Sequence, residues 1–253
     1  MSFGKKLDII SLFSGAGGLD IGFAMAGFNT AVMVERDASC CKTLRRNLPE
    51  VPLIEGDITE IATSEILEVG GLEPLEAAMV VGGPPCQSFS LAGKRMGLDD
   101  PRGRLVLEFI RVVREALPVG FLMENVRGLS NWNGGKALDA ILEEATRPIE
   151  YLGKTYRYSV CWKILDAADF GVPQHRERIF IVGNRIGKGF SFPEPKYGDS
   201  RKGDFGLFDG NENTIPYRTV WNAIGNLPPA NPPSETAMRV SKTIKGRREK
   251  HGY

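Results

Sequence analysis

The sequence lacks the features that mark several common classes of protein. It has only two histidines and four cysteines in 253 residues, and no two cysteines form a Cys-x-x-Cys pair. This composition argues against a zinc cluster or a disulfide framework, so we expect no bound metal and a reducing, cytoplasmic setting. No apolar run approaches the roughly 20 residues of a membrane-spanning helix, and the first ten residues carry no signal-peptide pattern. We therefore expect no membrane partner.

Charge of one sign is also scarce. The formal net charge is +1, from 32 lysines and arginines against 31 acidic residues. A dedicated nucleic-acid-binding domain usually carries a larger basic excess, so any such surface here must be local. One local excess lies at residues 239–253, which hold six lysines and arginines against one glutamate.

The sequence does contain a regular alternation of short apolar runs and helix-like stretches. Runs typical of buried strands occupy residues 7–13, 30–35, 51–58, 77–83 and 119–125. Between them, residues 17–26, 38–47 and 104–117 have the pattern of helices. This order predicts an α/β fold with a doubly wound, mostly parallel sheet.

The composition changes after about Gly189. Residues 191–236 are rich in Pro, Gly, Asn and Asp, which is typical of an extended connector. We therefore predict one domain over residues 1–190, and the motifs described next assign cofactor binding and catalysis to it. Residues 191–253 would form the connector and a basic C-terminal segment.

A glycine-rich turn follows the first predicted strand, with the sequence Phe13-Ser14-Gly15-Ala16-Gly17-Gly18. Glycines let the backbone approach a ligand closely, and the next helix begins with free N–H groups. Glu35 ends the second strand, where a carboxylate can accept hydrogen bonds from ribose hydroxyls. Asp57 ends the third, where an acceptor can meet an adenine amino group. The alternative is that both acids are solvated strand-end caps. The turn lacks full GxGxxG spacing, which disfavours NAD and suits a cofactor without pyrophosphate.

Cys86 directly follows a buried strand, in a turn that Pro84 and Pro85 stiffen. A thiol at a strand end, facing the cofactor crevice, suits a nucleophile, and its attack requires the thiolate. The alternative is an inert buried cysteine. We interpret the other three cysteines as structural: Cys40, Cys41 and Cys161.

Two later segments carry further polar groups. Glu124 ends a strand and would lie beside Cys86 in a sheet of this order, where a carboxyl group can exchange a proton with a ring nitrogen. Arg176 and Arg178 lead into another strand and share a face because they are two residues apart. A guanidinium can hold a carbonyl oxygen. We interpret His175 as a surface or supporting residue.

These segments together resemble the motifs of the DNA (cytosine-5) methyltransferases. The matching motifs, in the family's order and spacing over residues 7–185, are FSGAGG, the strand end at Glu35, GDI, PPCQSFS, ENV and QHRER. The resemblance implies a Rossmann-like methyltransferase fold and a restriction–modification setting. It also implies transfer of a methyl group from S-adenosylmethionine to carbon 5 of a flipped-out cytosine in double-stranded DNA.

The resemblance implies a role for each matching residue. Cys86 would attack carbon 6 of cytosine, Glu124 would engage N3 and the amino group, and Arg178, backed by Arg176, would hold O2. Cofactor contacts would come from Phe13, Ser14, Gly15, Gly17, Gly18, Glu35, Arg36, Asp57, Ile58 and Pro84. DNA contacts would come from a basic active-site loop containing Gln87, Ser88, Lys94, Arg95, Arg102 and Arg104.

The family's later motifs, including its target-recognition region and its Gly-Asn helix, have no counterpart after Gly189. Residues 214–229 resemble the segment that precedes target recognition. We therefore expect a second protein chain to supply target recognition; the alternative is a shortened piece of a longer enzyme. Two other functions stay open, an RNA (transfer RNA) cytosine-5 methyltransferase and a non-catalytic cofactor-binding subunit. The presence of Cys86, Glu124 and Arg178 argues against the second.

Overall fold

The computed structural model describes residues 7–85, 104–198, 215–227 and 234–251. The chain divides into two compact units. The first comprises Met1–Ala167 and Arg176–Pro195, and the second comprises Ala168–His175 and Lys196–Tyr253. The boundary that the sequence suggests near residue 190 stays a prediction.

The first unit contains nine described strands, and seven of them form one large sheet. Its strands are β1 (Leu7–Leu12), β2 (Phe28–Glu35), β3 (Leu53–Glu55), β4 (Met79–Gly82), β5 (Gly120–Val126), β6 (Ile149–Tyr151), β7 (Lys154–Tyr156), β8 (Ser159–Asp166) and β9 (Glu177–Asn184). Seven of them pair in the order β3-β2-β1-β4-β5-β9-β8, and β6 and β7 form a separate hairpin. Strands β1 to β5 are mutually parallel, and β9 is antiparallel to both of its neighbours. The predicted α/β fold with a mostly parallel sheet is confirmed.

Five helices accompany these strands in the described part of the first unit: α1 (Gly18–Met25), α2 (Ala38–Asn47), α3 (Thr63–Gly70), α4 (Arg104–Ala116) and α5 (Lys136–Thr146). Short 3₁₀ segments occupy residues 127–135 and 167–170. The described part of the second unit contains β10 (Tyr197–Gly198), β11 (Ile215–Pro216), α6 (Val220–Ile224) and α7 (Glu235–His251). No helix in the described ranges is long and apolar enough to cross a membrane.

The core of the first unit lies where α4 covers the middle strands. Its buried residues Val106, Phe109, Ile110 and Val113 recur every three or four positions, so they form one face of the helix. The ring of Phe109 meets Phe121 of β5 edge to face, with centroids 6.2 Å apart. Each such side chain contributes about 1.5–3 kcal/mol by leaving water, which fixes α4 on the sheet.

The strand order places a crevice at the carboxyl ends of β1 and β4. From β1 the chain continues to β2 and β3 on one side, and then returns to β4 and β5 on the other. Leu12 is paired with Gly82, so the loops that follow these two strands diverge from the same level of the sheet. Ligands of open α/β sheets bind at such a reversal of strand order.

Candidate cofactor and active site

A cavity of about 260 Å³ lies at this crevice. Its lining residues come from the ends of β1 to β4 and the start of α4: Phe13, Gly15, Val34, Glu35, Arg36, Gly56, Asp57, Ile58, Gly83, Pro85 and Leu105. The structure thus brings together six of the residues that the sequence assigns to the cofactor, namely Phe13, Gly15, Glu35, Arg36, Asp57 and Ile58.

The glycine-rich turn owes its shape to left-handed backbone conformations. Phe13 has φ 53°, Gly15 φ 57° and Gly17 φ 84°. Such a value is uncommon for a residue with a side chain, and Phe13 is among the few here that adopt it. A Cβ at Gly17 would lie 3.2 Å from the Leu44 side chain, so this glycine also allows the turn to pack on α2. The turn therefore depends on both conformation and space.

Glu35 ties the turn to the end of β2. Its Oε2 accepts from the Gly15 N–H at 2.8 Å, and its Oε1 accepts from the N–H groups of Arg36 and Asp37, each at 2.8 Å. A carboxylate offers about four acceptor positions, so three bonds leave capacity for a ligand hydroxyl. Glu35 therefore caps backbone N–H groups at the strand end and also lines the cavity. The sequence suggested strand capping and ligand binding as alternatives, and this position is compatible with both.

The carboxylate of Asp57 is held by two residues, Arg36 and Thr59. Its Oδ2 forms an ion pair with Arg36 Nη1 at 2.8 Å. Its Oδ1 accepts from the N–H of Thr59 at 3.1 Å and from the Thr59 hydroxyl at 2.9 Å. The backbone bond from Thr59 is the main reason why the pKa of the Asp57 carboxyl lies below its usual value. The carboxylate is thus ionised and fixed beside Ile58.

Four predicted cofactor residues do not line the cavity. Ser14 is buried, and its hydroxyl lies 2.9 Å from that of Ser11. Gly17 and Gly18 form the start of α1. Pro84 is also buried, and its carbonyl accepts from the Asn125 side chain. Direct cofactor contact by these four residues stays a prediction.

Glu124 and Arg178 meet at the neighbouring strand ends. Arg178 Nε lies 2.8 Å from Glu124 Oε1, with both side chains about three-quarters buried at 22% and 23% exposure. The antiparallel pairing of β5 with β9 makes this contact possible, because it places Arg178 opposite Val126, two residues beyond Glu124. A Cβ at Gly83 would lie 3.2 Å from Glu124 Oε2, so the ion pair adjoins the cavity wall.

Arg176 is placed differently. It precedes β9, its side chain is exposed, and its backbone N–H donates to Asp166 Oδ1 at 2.8 Å. The structure thus brings Arg178, and not Arg176, to Glu124. The role of Arg176 behind Arg178 stays a prediction.

Several predicted residues lie outside the described part of the chain: Cys86, Gln87, Ser88, Lys94, Arg95 and Arg102. Arg104 begins α4, and its side chain also lies outside it. The described chain reaches Pro85, which lines the cavity.

Three thiols that do not line the cavity show no sign of chemical activation. Cys41 is buried, and Cys40 and Cys161 are partly buried. Burial is the main reason why the pKa of each thiol lies above its usual value. Raised pKa values keep thiols protonated and poorly nucleophilic, which supports their interpretation as structural.

Sequence reasoning missed part of the wall: Val34, Gly56, Gly83, Pro85 and Leu105. The signal for the first four was their position at strand ends, next to residues that were chosen. Leu105 had no such signal, because only the packing of α4 brings it to the cavity. Among the described residues there is no group of three or more His, Cys, Asp or Glu side chains that could hold a metal ion.

The chain is similar to bacterial DNA methyltransferases. It is 64% identical to the type II methyltransferase M.AquIA of Picosynechococcus sp. over 250 residues, which cover 98% of this chain and 99% of that one. It is 40% identical to M1.HphI of Haemophilus parahaemolyticus over 89% of this chain, but this match spans only 54% of that protein. The chain likewise spans 55% to 58% of three further type II methyltransferases. The chain thus matches almost the whole length of M.AquIA, but little more than half the length of M1.HphI and of the three further methyltransferases.

Solved structures and a family model agree with these matches. A crystal structure described as a DNA modification methyltransferase encoded within an E. coli prophage has a TM-score of 0.68 at 27% identity, and covers 89% of this chain and 56% of its own. The DNMT2 structure from Spodoptera frugiperda, at 23% identity and a TM-score of 0.54, shares the fold over 74% of this chain and 52% of its own. The model of the C-5 cytosine-specific DNA methylases matches residues 7–246. The chain therefore belongs to the C-5 cytosine-specific DNA methylase family.

Proposed function

We propose that this protein transfers a methyl group from S-adenosylmethionine to carbon 5 of cytosine in double-stranded DNA. The observation that carries the proposal is the ion pair of Glu124 with Arg178 beside the cavity, in a chain of this family. A carboxylate and a guanidinium held 2.8 Å apart match the polar edge of a cytosine, which carries an amino group, a ring nitrogen and a carbonyl oxygen.

The cavity suits the nucleoside part of the cofactor. Phe13, Val34 and Ile58 provide apolar walls, and Glu35 provides a carboxylate with free acceptor capacity. Enzymes of this family use S-adenosylmethionine, which supplies an electrophilic methyl group on a sulfonium. The residues present fit this group, because it has two ribose hydroxyls and an adenine but no pyrophosphate.

The chemistry divides between Cys86 and the ion pair. The Cys86 thiolate attacks carbon 6 and forms a carbon–sulfur bond, while Glu124 shares a proton with N3 and accepts a hydrogen bond from the amino group. The proton at N3 balances the negative charge that the addition places on the ring. Carbon 5 would then accept the methyl group from S-adenosylmethionine held beside Glu35 and Asp57, and the sulfonium sulfur would keep the electron pair of the broken bond. A base removes the proton from carbon 5, and the thiolate departs as the double bond forms again. Arg178 keeps O2 in place throughout.

The cytosine must leave the double helix to reach these groups. Carbon 6 of a stacked base is inaccessible, and extruding the base costs a few kcal/mol. The lysines and arginines between Ser88 and Arg104 would offset part of this cost through phosphate contacts.

We also propose that a second protein chain binds the second unit and supplies target recognition. Ala168 is the only buried apolar residue among those described in this unit. Val220, Trp221, Ile224 and Leu227 instead form an exposed apolar surface, where Trp221 is 76% exposed. Such a surface is typical of protein interfaces. The occupant would correspond to the part of M1.HphI and similar relatives that has no counterpart here.

Trapping of the covalent intermediate tests the proposed reaction. In DNA with 5-fluorocytosine at the target, carbon 5 has no proton to lose after methylation, so the enzyme stays attached. We expect Cys86→Ala to abolish this adduct, and Glu124→Gln to slow its formation about 100-fold. Labelled methyl transfer to DNA and to transfer RNA is measured in parallel.

The Arg127–Glu177 pair offers a matched control. It has a similar separation of 2.7 Å but is more exposed, and neither residue lines the cavity. Glu177→Gln should keep nearly the wild-type rate. An adduct that persists in Cys86→Ala would contradict the mechanism, and methylation of transfer RNA instead of DNA would contradict the substrate.

A further inference from the structure

One wall of the cavity is a short segment with few hydrogen bonds between its own main-chain groups. Residues 56–62 follow β3 and precede α3, and Asp57 and Ile58 face the cavity. Within the segment, the Glu60 N–H donates to the Asp57 carbonyl at 2.9 Å, and the Thr59 N–H and hydroxyl donate to Asp57 Oδ1. The Thr59 bonds fix the Asp57 carboxylate, but none of these bonds reaches the Ile58 or Ile61 carbonyl. The Ile61 N–H reaches the Ile58 carbonyl only at 3.4 Å. A segment of this kind holds its shape only if other elements support it.

Arg111, near the middle of α4, provides that support. Its Nη2 donates to the Ile58 carbonyl at 3.0 Å and to the Ile61 carbonyl at 3.1 Å. Its Nη1 donates to the Thr63 hydroxyl at 2.9 Å, at the start of α3. One guanidinium therefore holds the segment at two carbonyls and the first residue of α3 at a third point, about 50 residues away along the chain.

The guanidinium is itself held in place by acidic side chains on α4. Its Nε lies 2.6 Å from Glu108 Oε2, and its Nη1 lies 3.2 Å from Glu115 Oε2. Glu115 also accepts from the Thr63 hydroxyl. The two glutamate contacts of the guanidinium and its three contacts above together equal the five N–H groups that it offers. The side chains of Arg111 and Glu108 are only 28% and 23% exposed, so this pair is partly shielded from solvent, whereas Glu115 is half exposed.

We propose that Arg111 is a positioning residue for the cofactor, and this rests on the proposed cofactor site. It holds Asp57 and Ile58 in their binding geometry before the cofactor arrives. A wall that is already ordered loses little conformational freedom on binding, so affinity is higher. Without Arg111, binding must order the segment, and affinity falls. Neither the charge nor the bulk of Arg111 needs to contact the ligand.

Arg114, on the same helix, is a matched control. Its guanidinium also binds main-chain carbonyls, those of Glu144, Arg147 and Pro148, at 2.9–3.3 Å. It also pairs with a glutamate at 3.4 Å and is 21% exposed. Its partners end α5, and none of them lines the cavity. A loss of stability without a loss of positioning is therefore expected from Arg114→Met.

The test measures S-adenosylhomocysteine affinity by calorimetry and the melting temperature without ligand, on the full chain. We expect Arg111→Met to weaken binding about tenfold, since ordering a few residues on binding costs roughly that much. Arg114→Met should bind like the wild type, although both variants melt at lower temperature. Arg111→Lys, which keeps the charge but reaches fewer carbonyls, should fall between wild type and Arg111→Met. It provides the comparison if Arg111→Met does not fold.

Unchanged affinity in the Arg111 variants, or an equal loss in Arg114→Met, would overturn the inference. A wild-type chain that binds no S-adenosylhomocysteine would overturn the cofactor site and the inference with it. The first two results leave the proposed methyl transfer intact, so the two failures are distinguishable.

Discussion

At the scale of single residues, Asp20 is an unusual feature of α1, the helix that follows the glycine-rich turn. It lies in the first turn of α1 and is buried, and its Oδ2 has no hydrogen-bond partner of good geometry among the described residues, although the Ser11 hydroxyl is near enough to offset part of the rise in pKa that burial causes. Its Oδ1 accepts from the Thr30 hydroxyl at a long 3.3 Å. Burial is the main reason why the pKa of this carboxyl lies above its usual value. The charged form is thus poorly solvated in the folded protein.

This placement predicts a pH-dependent gain in stability for Asp20→Asn. A raised pKa in the folded state gives no penalty below the unfolded pKa of 3.8. As pH rises from there, the unfolded chain loses its proton more readily, and the penalty grows until pH passes the folded pKa. We expect Asp20→Asn to melt about 2–4 °C higher near neutral pH, because removing the buried charge raises the free energy of unfolding by roughly 1 kcal/mol. The gain should shrink towards pH 4.

Melting curves from pH 4 to 8 test this prediction. Asp139→Asn is the control, because Asp139 is an exposed acid in the first turn of α5 and its loss removes a similar interaction with the helix dipole. A gain that is equal at all pH values, or shared by Asp139→Asn, would refute the explanation from burial.

At the scale of secondary-structure elements, the end of β5 is joined to the turn after β4 by one side chain. Asn125 is buried, and its Nδ2 donates to the Pro84 carbonyl at 3.1 Å. Its Oδ1 accepts from the Val126 N–H at 2.8 Å. Asn125 thus connects the strand that carries Glu124 to the turn that leads to Cys86.

We expect Asn125→Ala and Asn125→Asp to slow formation of the 5-fluorocytosine adduct at least about tenfold. The aspartate keeps the acceptor for Val126 but loses the donor to Pro84, so the two variants separate the two bonds. Small displacements of reacting groups have effects of this size or larger. Trapping rates are compared at equal folded fraction.

Asn184→Ala is the control for this pair. The Asn184 side chain also donates to a carbonyl, that of Lys188, at 2.8 Å, but at the far end of β9. It should change stability with little effect on trapping. A wild-type trapping rate in Asn125→Asp would show that the bond to Pro84 does not position the turn.

Sequence patterns predict the bounds of long helices better than those of short strands. The helix predicted at residues 104–117 is α4 at 104–116, because a helix with one buried face has a strong periodic signal. The strand predicted at 51–58 is only three residues long, since Asp57 turns the chain by accepting from Thr59. The β6–β7 hairpin was not predicted, because three-residue strands show too little alternation.

At the scale of the whole molecule, the two units differ in how they bury apolar residues. The first has an extensive core, whereas the described part of the second exposes most of its large apolar side chains. Residues 235–246 of α7 are all exposed, whereas most helical stability in proteins comes from the packing of a buried face. These features support a partner chain on the second unit.

We expect the purified chain alone to methylate DNA at least about 100-fold more slowly than the chain with a partner that supplies base contacts. The candidate partner is a separate chain that carries a target-recognition region of this family. Trp221→Ser should lower the rate of the mixture, because Trp221 is the most exposed member of the apolar surface. Methyl incorporation into DNA is measured for each mixture.

Trp162→Ser is the control, since Trp162 is also an exposed tryptophan but lies on β8 in the first unit. It should leave the rate of the mixture unchanged. Robust site-specific methylation by this chain alone would rule out a required second chain.

The sequence by itself determined the fold class and the strand ends that carry polar groups. Buried strands, amphipathic helices and glycine turns are local patterns, readable over ten or so residues. Glu35, Asp57, Glu124 and Arg178 could each be identified because polar residues directly follow or end apolar runs. The family motifs then related these positions to one chemistry.

Only the tertiary structure decided which groups meet. It pairs Arg178 with Glu124 and Arg36 with Asp57. It also brings Arg111, which belongs to none of the predicted motifs, to a segment 50 residues earlier. Such contacts depend on strand order, on the antiparallel direction of β9 and on the packing of α4. These are set by the burial of distant apolar surfaces against each other, and no local pattern of residues encodes them.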